Sequence, residues 1–563
     1  MTIISPMLKT PRPFPEILRT TVLHQMPLIM ARFDPAGFFR DHPGIGSFNE
    51  NQFIYPLAYL YATRFRGNRY HRDPEILAAV RAIGDHVSRC TDARGDMSHE
   101  RIGAHVDQRN LIFWLDAYGI VKGVLGLPRR RRWESAMKRT LRNLAGKLAG
   151  YMPQKRFHSR SFGTGPNHAI LYAVALYLGG RALRHRPWRA LAEAFADRFA
   201  AFQHPEGYWP EHDGPVTTYN MVSLAGISRF QALTPKPLYL QTLERALRYF
   251  ETISYPDHSL VSVIDCRTRY DSGPRIWGYH GFTHWSRGRA FMRDAIEARL
   301  RNDRPFTGEE LARMIENFVH CRRGPGPRHT RWKGTRYLGT RACFIRDKGW
   351  QVNFSVNAAI QNPNQPYMYD CRNVLELSHA RTGLLINGAQ DKFHPEHANF
   401  VFRGGTDPGV LYTGILATLG PTPYVEALYT NYFTGRIEVQ IRDTSTVVLC
   451  ASDAGPRPFP GGHLNLPLRI GINHTIRVGR REYMLTRKKL SIPVRPGGSF
   501  TFLDGKVTMR AAAGGTLFFP CRPFNPYSED HQWGWDAAFA RFQMPLRRSP
   551  RSARLTITVG QAS

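Results

Sequence analysis

Up to about Gly334, apolar residues recur at helical spacing, and the recurrences come in pairs. From Gln52 to Phe65, the residues Phe53, Ile54, Leu57, Leu60 and Tyr61 fall on one helical face. Asp73 and Pro74 then supply an N-cap and a first-turn proline ahead of Ile76, Leu77, Val80, Ile83 and Val87. The same pattern predicts helix pairs at Asn110 to Val121 with Trp133 to Leu148, and at Asn167 to Leu178 with Pro187 to Phe202. Two more follow, Thr217 to Leu233 with Leu238 to Ile253, and His284 to Leu300 with Thr307 to Cys321. Gly, Pro, Arg or polar residues separate the members of each pair. Antiparallel pairs repeated in this way predict an incomplete α/α toroid whose inner helices ring a central cleft.

Beyond Gly324-Pro325-Gly326-Pro327 the period changes to two. Ile437 to Ile441, Ser499 to Phe502 and Leu555 to Val559 alternate apolar with polar, and Asp504-Gly505 is a hairpin signal before Val507. Short strands among many Gly and Pro residues predict an antiparallel β-sandwich. The expected class is therefore α+β and multidomain, with a toroid over residues 1–325 and a sandwich over residues 330–563.

Polar residues gather at two of the predicted helix starts. Ser161-Phe162-Gly163-Thr164-Gly165-Pro166-Asn167-His168 runs into an apolar helix, and Tyr208-Trp209-Pro210-Glu211-His212-Asp213-Gly214-Pro215 leads to Tyr219-Asn220 at the start of another. Two helix starts carrying Asn, His and Tyr suggest one shared cleft. Tyr279-His280 with His284-Trp285 adds an aromatic and histidine patch at the entry of the last pair. Asp265-Cys266-Arg267-Thr268-Arg269-Tyr270 adds two guanidinium groups suited to bidentate recognition of carboxylate or sulfate.

Composition narrows the partner. The 563 residues are 42% hydrophobic and carry a formal net charge of +33, so the chain is globular and attracts polyanions. Arginine outnumbers lysine along the whole chain, so codon bias is a competing source of that charge. Neither a zinc finger, an RNP motif nor a basic zipper is present, and Arg129-Arg130-Arg131-Arg132 reads as the solvated entrance of an amphipathic helix. Nucleic acid is therefore not expected as a partner. Phosphate-loop and zincin motifs are missing too. The seven cysteines form no C-x-x-C pair and are expected to be free thiols. His394 and His397 lack the spacing of a ligand set, so neither a metal nor a cofactor is expected. No stretch nears the roughly eighteen unbroken apolar residues of a membrane span, and no signal-like start is seen. A soluble, cytoplasmic protein without membrane association is the expectation.

On these two polar segments and the arrangement of helix pairs before strands, the chain resembles the α/α-toroid polysaccharide lyases with a C-terminal β-sandwich, the heparinase II/III-like and certain alginate lyases. The resemblance implies β-elimination on a polysaccharide containing uronic acid. In that class an Asn-His pair at an inner helix start and a Tyr from the next inner helix line the cleft, which matches Asn167, His168 and Tyr219 here. Where the class carries a His-x-His-x-Asp-type segment, this chain has Glu376 to Ile386, which leaves His379 as the β-domain candidate.

Such a lyase must remove the C5 proton of a uronate, which requires neutralising the adjacent carboxylate. Asn167 supplies an amide N–H, and His168 or Arg160 a second donor, each worth about 3 kcal/mol in the transition state. Tyr219 acts as general base or protonates the departing O4, with His168, His280 or His379 in the complementary role, for roughly 10²- to 10⁴-fold each. Around them Tyr208 and Trp209 offer flat faces to sugar rings, and Glu211 and Asp213 bind hydroxyls or order their loop. Arg267 and Arg269 are expected either to recognise the anion or, equally, to pair with Asp265 and Asp271, and Tyr279 is expected to face the same cleft. Plain structural roles compete: Asn167 as a helix cap, His168 as a satisfied histidine, Tyr219 as core.

Two other functions remain open. An inverting glycoside hydrolase would use two carboxylates about 6.5–9.5 Å apart, Glu211 with Asp213 or Asp265. A non-catalytic glycan-binding protein would keep the scaffold without the chemistry.

Overall fold

The computed structural model describes residues 14–560, apart from 40–49, 100–102, 106–107, 156, 158–164, 212–213, 266–272, 303, 326–328, 357–373, 389–396, 402–411, 419–422, 430–433, 454–461, 524, 526–529, 531 and 547–552. The chain forms two compact units. The first comprises residues 1–212, 219–249 and 273–330, and the second residues 213–218, 250–272 and 331–563.

The first unit is built of helices in two kinds. Ile54–Ala62, Gln108–Val121, Pro166–Ala182 and Thr217–Leu233 are apolar around most of their circumference, as the unbroken burial of Ile54 to Leu60 and of Ala169 to Tyr177 shows. A helix apolar on all sides has to be enclosed. Pro74–Arg89, Leu127–Tyr151, Arg186–Ala201 and Pro237–Ile253 alternate with them in sequence. These bury one stripe, for example Trp133, Met137, Leu141, Leu144 and Leu148, and leave the other face to charge. Each enclosed helix packs on the next, and Gly308–His320 packs on both Ile54–Ala62 and Phe14–Met30.

Phe14–Met30 extends the predicted pattern. Leu18, Val22, Met26 and Ile29 are buried on one stripe of it, while Pro27 inside the run makes the segment read poorly as helix in sequence. Local signals set several other ends. The Asp73 carboxylate accepts from the Glu75 and Ile76 N–H groups at 2.8 and 3.4 Å with Pro74 at the first position, and Thr307 and Glu310 cap each other reciprocally. Arg129 to Arg132 lie in the first turns of Leu127–Tyr151, where Arg129 Nε meets Asp85 at 2.9 Å and Arg130 Nε meets Glu134 at 2.9 Å.

Two enclosed helices approach closely at Gly226. A Cβ there would stand 2.6 Å from Ile170 Cγ1, a β-branched side chain with one favoured helical rotamer. Gly226→Ala should therefore lower the unfolding free energy by about 1–3 kcal/mol, read by denaturant titration.

The second unit holds two large antiparallel sheets. In the ten-stranded sheet the order is Leu490–Val494, Gly515–Cys521, Phe539–Pro545, His463–Leu468, Gly383–Ile386, Leu375–His379, Trp350–Ser355, Ala342–Asp347 and Gly334–Leu338, with Phe400–Val401 also paired to His463–Leu468. The nine-stranded sheet runs Tyr412–Thr418, Tyr424–Tyr429, Thr434–Ile441, Thr446–Asp453, Ala553–Val559, Val507–Ala511, Ser499–Phe502, Thr475–Val478 and Arg481–Met484. One apolar cluster takes Val352, Leu377, Leu466 and Phe542 from the first and Ile437, Leu449, Val507 and Ile557 from the second. Alternation puts these side chains inward. Their neighbours turn out, as where Arg436 Nε meets Glu438 at 2.8 Å.

The other face of the ten-stranded sheet is polar, and that explains why residues 250–272 belong to this unit. Tyr255 Oη donates to Glu376 at 2.8 Å, Ser262 N–H and Oγ donate to the same carboxylate, and Asn353 Nδ2 reaches Tyr255 Oη at 2.7 Å. Arg331 and Trp332 donate to the carbonyls of Pro256 and Glu251 at 2.6 and 2.8 Å, and Arg346 to that of Ser254. A contiguous cut near residue 325 therefore misses these inserted segments. Burial raises the Glu376 carboxyl, while Ser262 and Tyr255 lower it.

Cys343 and Cys521 are buried free thiols, and Cys90, Cys321 and Cys450 are half-buried ones; Cys266 and Cys371 lie outside the described residues. No described helix is long and apolar enough to cross a membrane.

Candidate functional site

Pro166 opens the helix that carries Asn167, and the residue at the cap position is Gly165, in extended conformation with no side-chain cap bond. Asn167 sits at the second position of the first turn. Its predicted alternative role as a cap is thereby removed. The side chain is 3% exposed, and its carbonyl oxygen is buried with no hydrogen-bond partner among the described residues. Native interiors rarely leave such an atom unmatched, because doing so costs about 1–3 kcal/mol. Asn167 Oδ1 and the Glu211 carboxylate both crowd the open face of Gly165, so amide and carboxylate are near neighbours. His168, the next residue, is half-buried.

Tyr219 and Asn220 lie in the first turn of Thr217–Leu233, the helix that meets Pro166–Ala182 at Gly226 and Ile170. Tyr219 is half-buried and Asn220 buried. The Asn220 amide grips the backbone of Trp209 at two points: Trp209 N–H donates to Oδ1 at 2.6 Å, and Nδ2 donates to the Trp209 carbonyl at 3.1 Å. This clamp ties the segment carrying Trp209 and Glu211 to the helix start carrying Tyr219. Sequence alone marks Asn220 as polar without giving it this role.

The aromatic pair is engaged in packing. Tyr208 and Trp209 are 8% and 2% exposed, with His204 stacked on the first at 4.4 Å and Phe199 on the second at 5.9 Å. Their ring faces are taken by neighbours, so they shape the wall rather than offering open platforms. Glu211 is buried. Within the second unit, Asp265 accepts from Thr217 N–H at 2.8 Å and from Thr217 Oγ1 at 2.7 Å, which commits that carboxylate to a helix-capping bond. Arg160, Asp213, Arg267 and Arg269 lie outside the described residues.

The histidines separate clearly. His280 belongs to a short 3₁₀ helix, Tyr279–His284, and is 2% exposed. Its N–H and Nδ1 meet Asn317 Oδ1 at 2.7 and 3.2 Å, and burial lowers its imidazole to about 4, so it is neutral at physiological pH. Tyr279 is fully buried between Phe282 and Phe291, with ring centroids at 5.4 Å from each, and burial raises its phenol. Both are part of the packing of the unit and not of an open wall.

His280 borders a buried charge network that the sequence does not announce. Arg229 pairs with Asp116 and, at 3.2 Å, with Glu316, and Glu316 in turn meets Arg313 at 3.0 Å. Arg229 lies ten residues beyond Tyr219, about 15 Å along the same helix. Burial pushes the Asp116 carboxyl up to about 6 against the pull of Arg229. Burial also raises Glu316, but Arg313 and Arg229 outweigh it and hold that carboxyl low. A charged residue inside an otherwise apolar helical run is the available signal.

His379 ends a strand of the second unit. Its Nε2 meets the Thr444 carbonyl at 3.0 Å, its Nδ1 accepts from Arg381 N–H at 3.2 Å, and its ring stands edge-on to Trp350 at 4.6 Å. Both nitrogens are thus engaged with backbone at a hairpin, and burial lowers the imidazole. Of the five predicted catalytic side chains, the structure puts Asn167, His168 and Tyr219 in the first turns of two helices that pack together, and gives His280 and His379 hydrogen-bond partners within their own units.

No protein-family model matches the chain, and no curated protein is detectably similar to it in sequence. Solved structures are similar. The chondroitin AC lyase of Streptomyces coelicolor A3, in complex with chondroitin sulphate, is 13% identical, with 98% of this chain and 80% of that one covered at a TM-score of 0.55. A mutant of the same enzyme is 12% identical over 98% and 80% at 0.52. A heparinase III is 11% identical over 98% and 86% at 0.55. At these identities the shared property is the fold, helices followed by large sheets over nearly the whole chain.

Proposed function

We propose that the chain is a polysaccharide lyase that cleaves an acidic, uronic-acid-containing polysaccharide by β-elimination, on an incomplete α/α toroid followed by an antiparallel β-sandwich. The observation that carries this reading is Asn167: a buried amide outside the cap position, its carbonyl without a partner among the described residues, on a helix that packs against the one presenting Tyr219. The likeness in fold to a chondroitin AC lyase and a heparinase III supports it.

The chemistry follows from those groups. A uronate carboxylate placed against the Asn167 amide and the positive end of its helix has its charge partly neutralised, which makes the C5 proton removable. Tyr219 withdraws that proton or hands one to the departing O4, and His168, half-buried and one residue from Asn167, takes the other part. Asn220 holds the Trp209–Glu211 wall in register. Elimination leaves a C4–C5 double bond conjugated to the carboxylate.

That bond is the test. Incubation with alginate, chondroitin sulfate, heparan sulfate and other uronic-acid polymers should produce rising ultraviolet absorbance from one of them. Reducing ends appearing without absorbance would make the protein a hydrolase, and binding without either product would leave a glycan-binding protein.

A further inference from the structure

A depression of about 570 Å³ opens wholly within the second unit and shares no residue with the site around Asn167. Arg469, His474, Arg487 and Trp535 line it, with Asp257 and Asp536. The two carboxylates have local positions: Asp257 accepts from Ser259 N–H and Oγ at 3.0 and 2.6 Å, and Asp536 folds back beside Gly534 in an exposed turn. Arg487 is different. It is exposed, has no carboxylate partner among the described residues, and lies 5.5 Å from the centroid of the Trp535 indole.

A second guanidinium explains how the indole is fixed. Arg522 lies 4.7 Å from the same ring and is itself fully engaged, with Nε on the Trp533 carbonyl at 2.8 Å, Nη1 on Gln532 at 2.6 Å and Nη2 on Asp530 at 3.2 Å. Trp535 is thus a braced surface, and Arg487 rests on it. An exposed arginine ordinarily loses much rotamer freedom when it meets a ligand. One held at an aromatic ring keeps its planar fork aimed and loses less. Lys488 and Lys489, both exposed, follow directly in sequence and add to the local positive field.

We propose that this depression is a second, non-catalytic binding site for an anionic saccharide, in which Arg487 meets a carboxylate or sulfate and Trp535 supports it. It rests on the lyase reading only for the class of ligand. Its function would be to hold a long polymer to the protein between cleavage events, raising the effective concentration of the chain.

Binding is tested directly in the Asn167→Ala chain, in which the proposed cleavage is slowed, and the further substitutions are made in that background. Calorimetric titration of the full chain with hexasaccharides of alginate, chondroitin sulfate and unsulfated chondroitin distinguishes a site satisfied by carboxylate from one that requires sulfate. A neutral cellohexaose serves as control. Arg487→Ala and Trp535→Ala should each weaken one class of site by about tenfold or abolish it, and the loss should shrink as salt rises. The melting temperature should stay unchanged in Arg487→Ala, an exposed position. Parental affinity and stoichiometry for all the anionic probes in Arg487→Ala would overturn the proposal, as would equal binding of the neutral probe. If no polymer yields an ultraviolet-absorbing product while Arg487→Ala still loses a binding site, the lyase reading fails and this one stands. Should product form while the variant binds as the parent does, the reverse holds.

Discussion

Asn167→Ala should lower kcat by about 10²- to 10³-fold while leaving the melting temperature equal to or above that of the parent. The first half follows from the role of the amide. A donor aimed at charge that builds in the transition state is worth about 3–4 kcal/mol when removed, because nothing else in a water-poor site replaces it at no reorganisation cost. The second half follows from its unmatched carbonyl. Alanine at this position deletes a buried polar atom with no described partner, so folding loses little, and trading stability for function is a familiar property of active sites. Tyr219→Phe should match the loss in kcat with a small change in KM, since the phenol acts on the proton and not on ground-state binding. Initial rates on the cleaved polymer and thermal unfolding of both variants check this. A variant that loses activity only in proportion to a fallen melting temperature would reduce Asn167 to a packing residue.

The second large effect concerns stability. Arg229→Met should destabilise the protein by about 3–5 kcal/mol, because it leaves Asp116 and Glu316 sharing a buried site with less positive charge than they need. Its dependence on pH has a definite sign. Burial already raises Asp116 to about 6, and removing Arg229 raises it further. Near pH 8 the carboxylate is ionised and uncompensated, and the full cost appears. Near pH 5 it takes up a proton, and the cost shrinks. A raised folded carboxyl favours the folded state at low pH and loses that contribution as pH rises through it. Burial lowers the imidazoles of His280 and His320, which disfavours folding in acid; Arg229 adds to that lowering, so its removal relieves part of the penalty and lessens the cost at pH 5 in the same direction. Denaturant titrations at pH 5 and 8 provide the measurement. An equal loss at both would show that the Arg229 side chain contributes packing alone.

Much of the helical unit is written locally. Asp73-Pro74 caps a helix through bonds no more than three residues away, and the stripe of Trp133, Met137, Leu141, Leu144 and Leu148 is a periodicity that needs no partner to be read. Asn167 and Tyr219 are accessible for the same reason, as polar residues at the mouths of apolar runs. Phe14–Met30 is not, since Pro27 opposes the helical signal that Leu18, Val22, Met26 and Ile29 carry.

The sequence by itself determined the order of elements, the change of period near residue 330 and the positions of the first-turn polar residues, because capping, turn chemistry and side-chain periodicity act over a few neighbours. Only the tertiary structure decided which histidines are spent on Asn317 and on the Thr444 carbonyl, that Trp209 turns its face to Phe199, that Asp265 serves Thr217, and that residues 250–272 belong with Glu376. Those outcomes depend on burial and on partners from ten to more than a hundred residues away. A residue's type states which bonds it is able to make, and the packing around it decides which remain for chemistry.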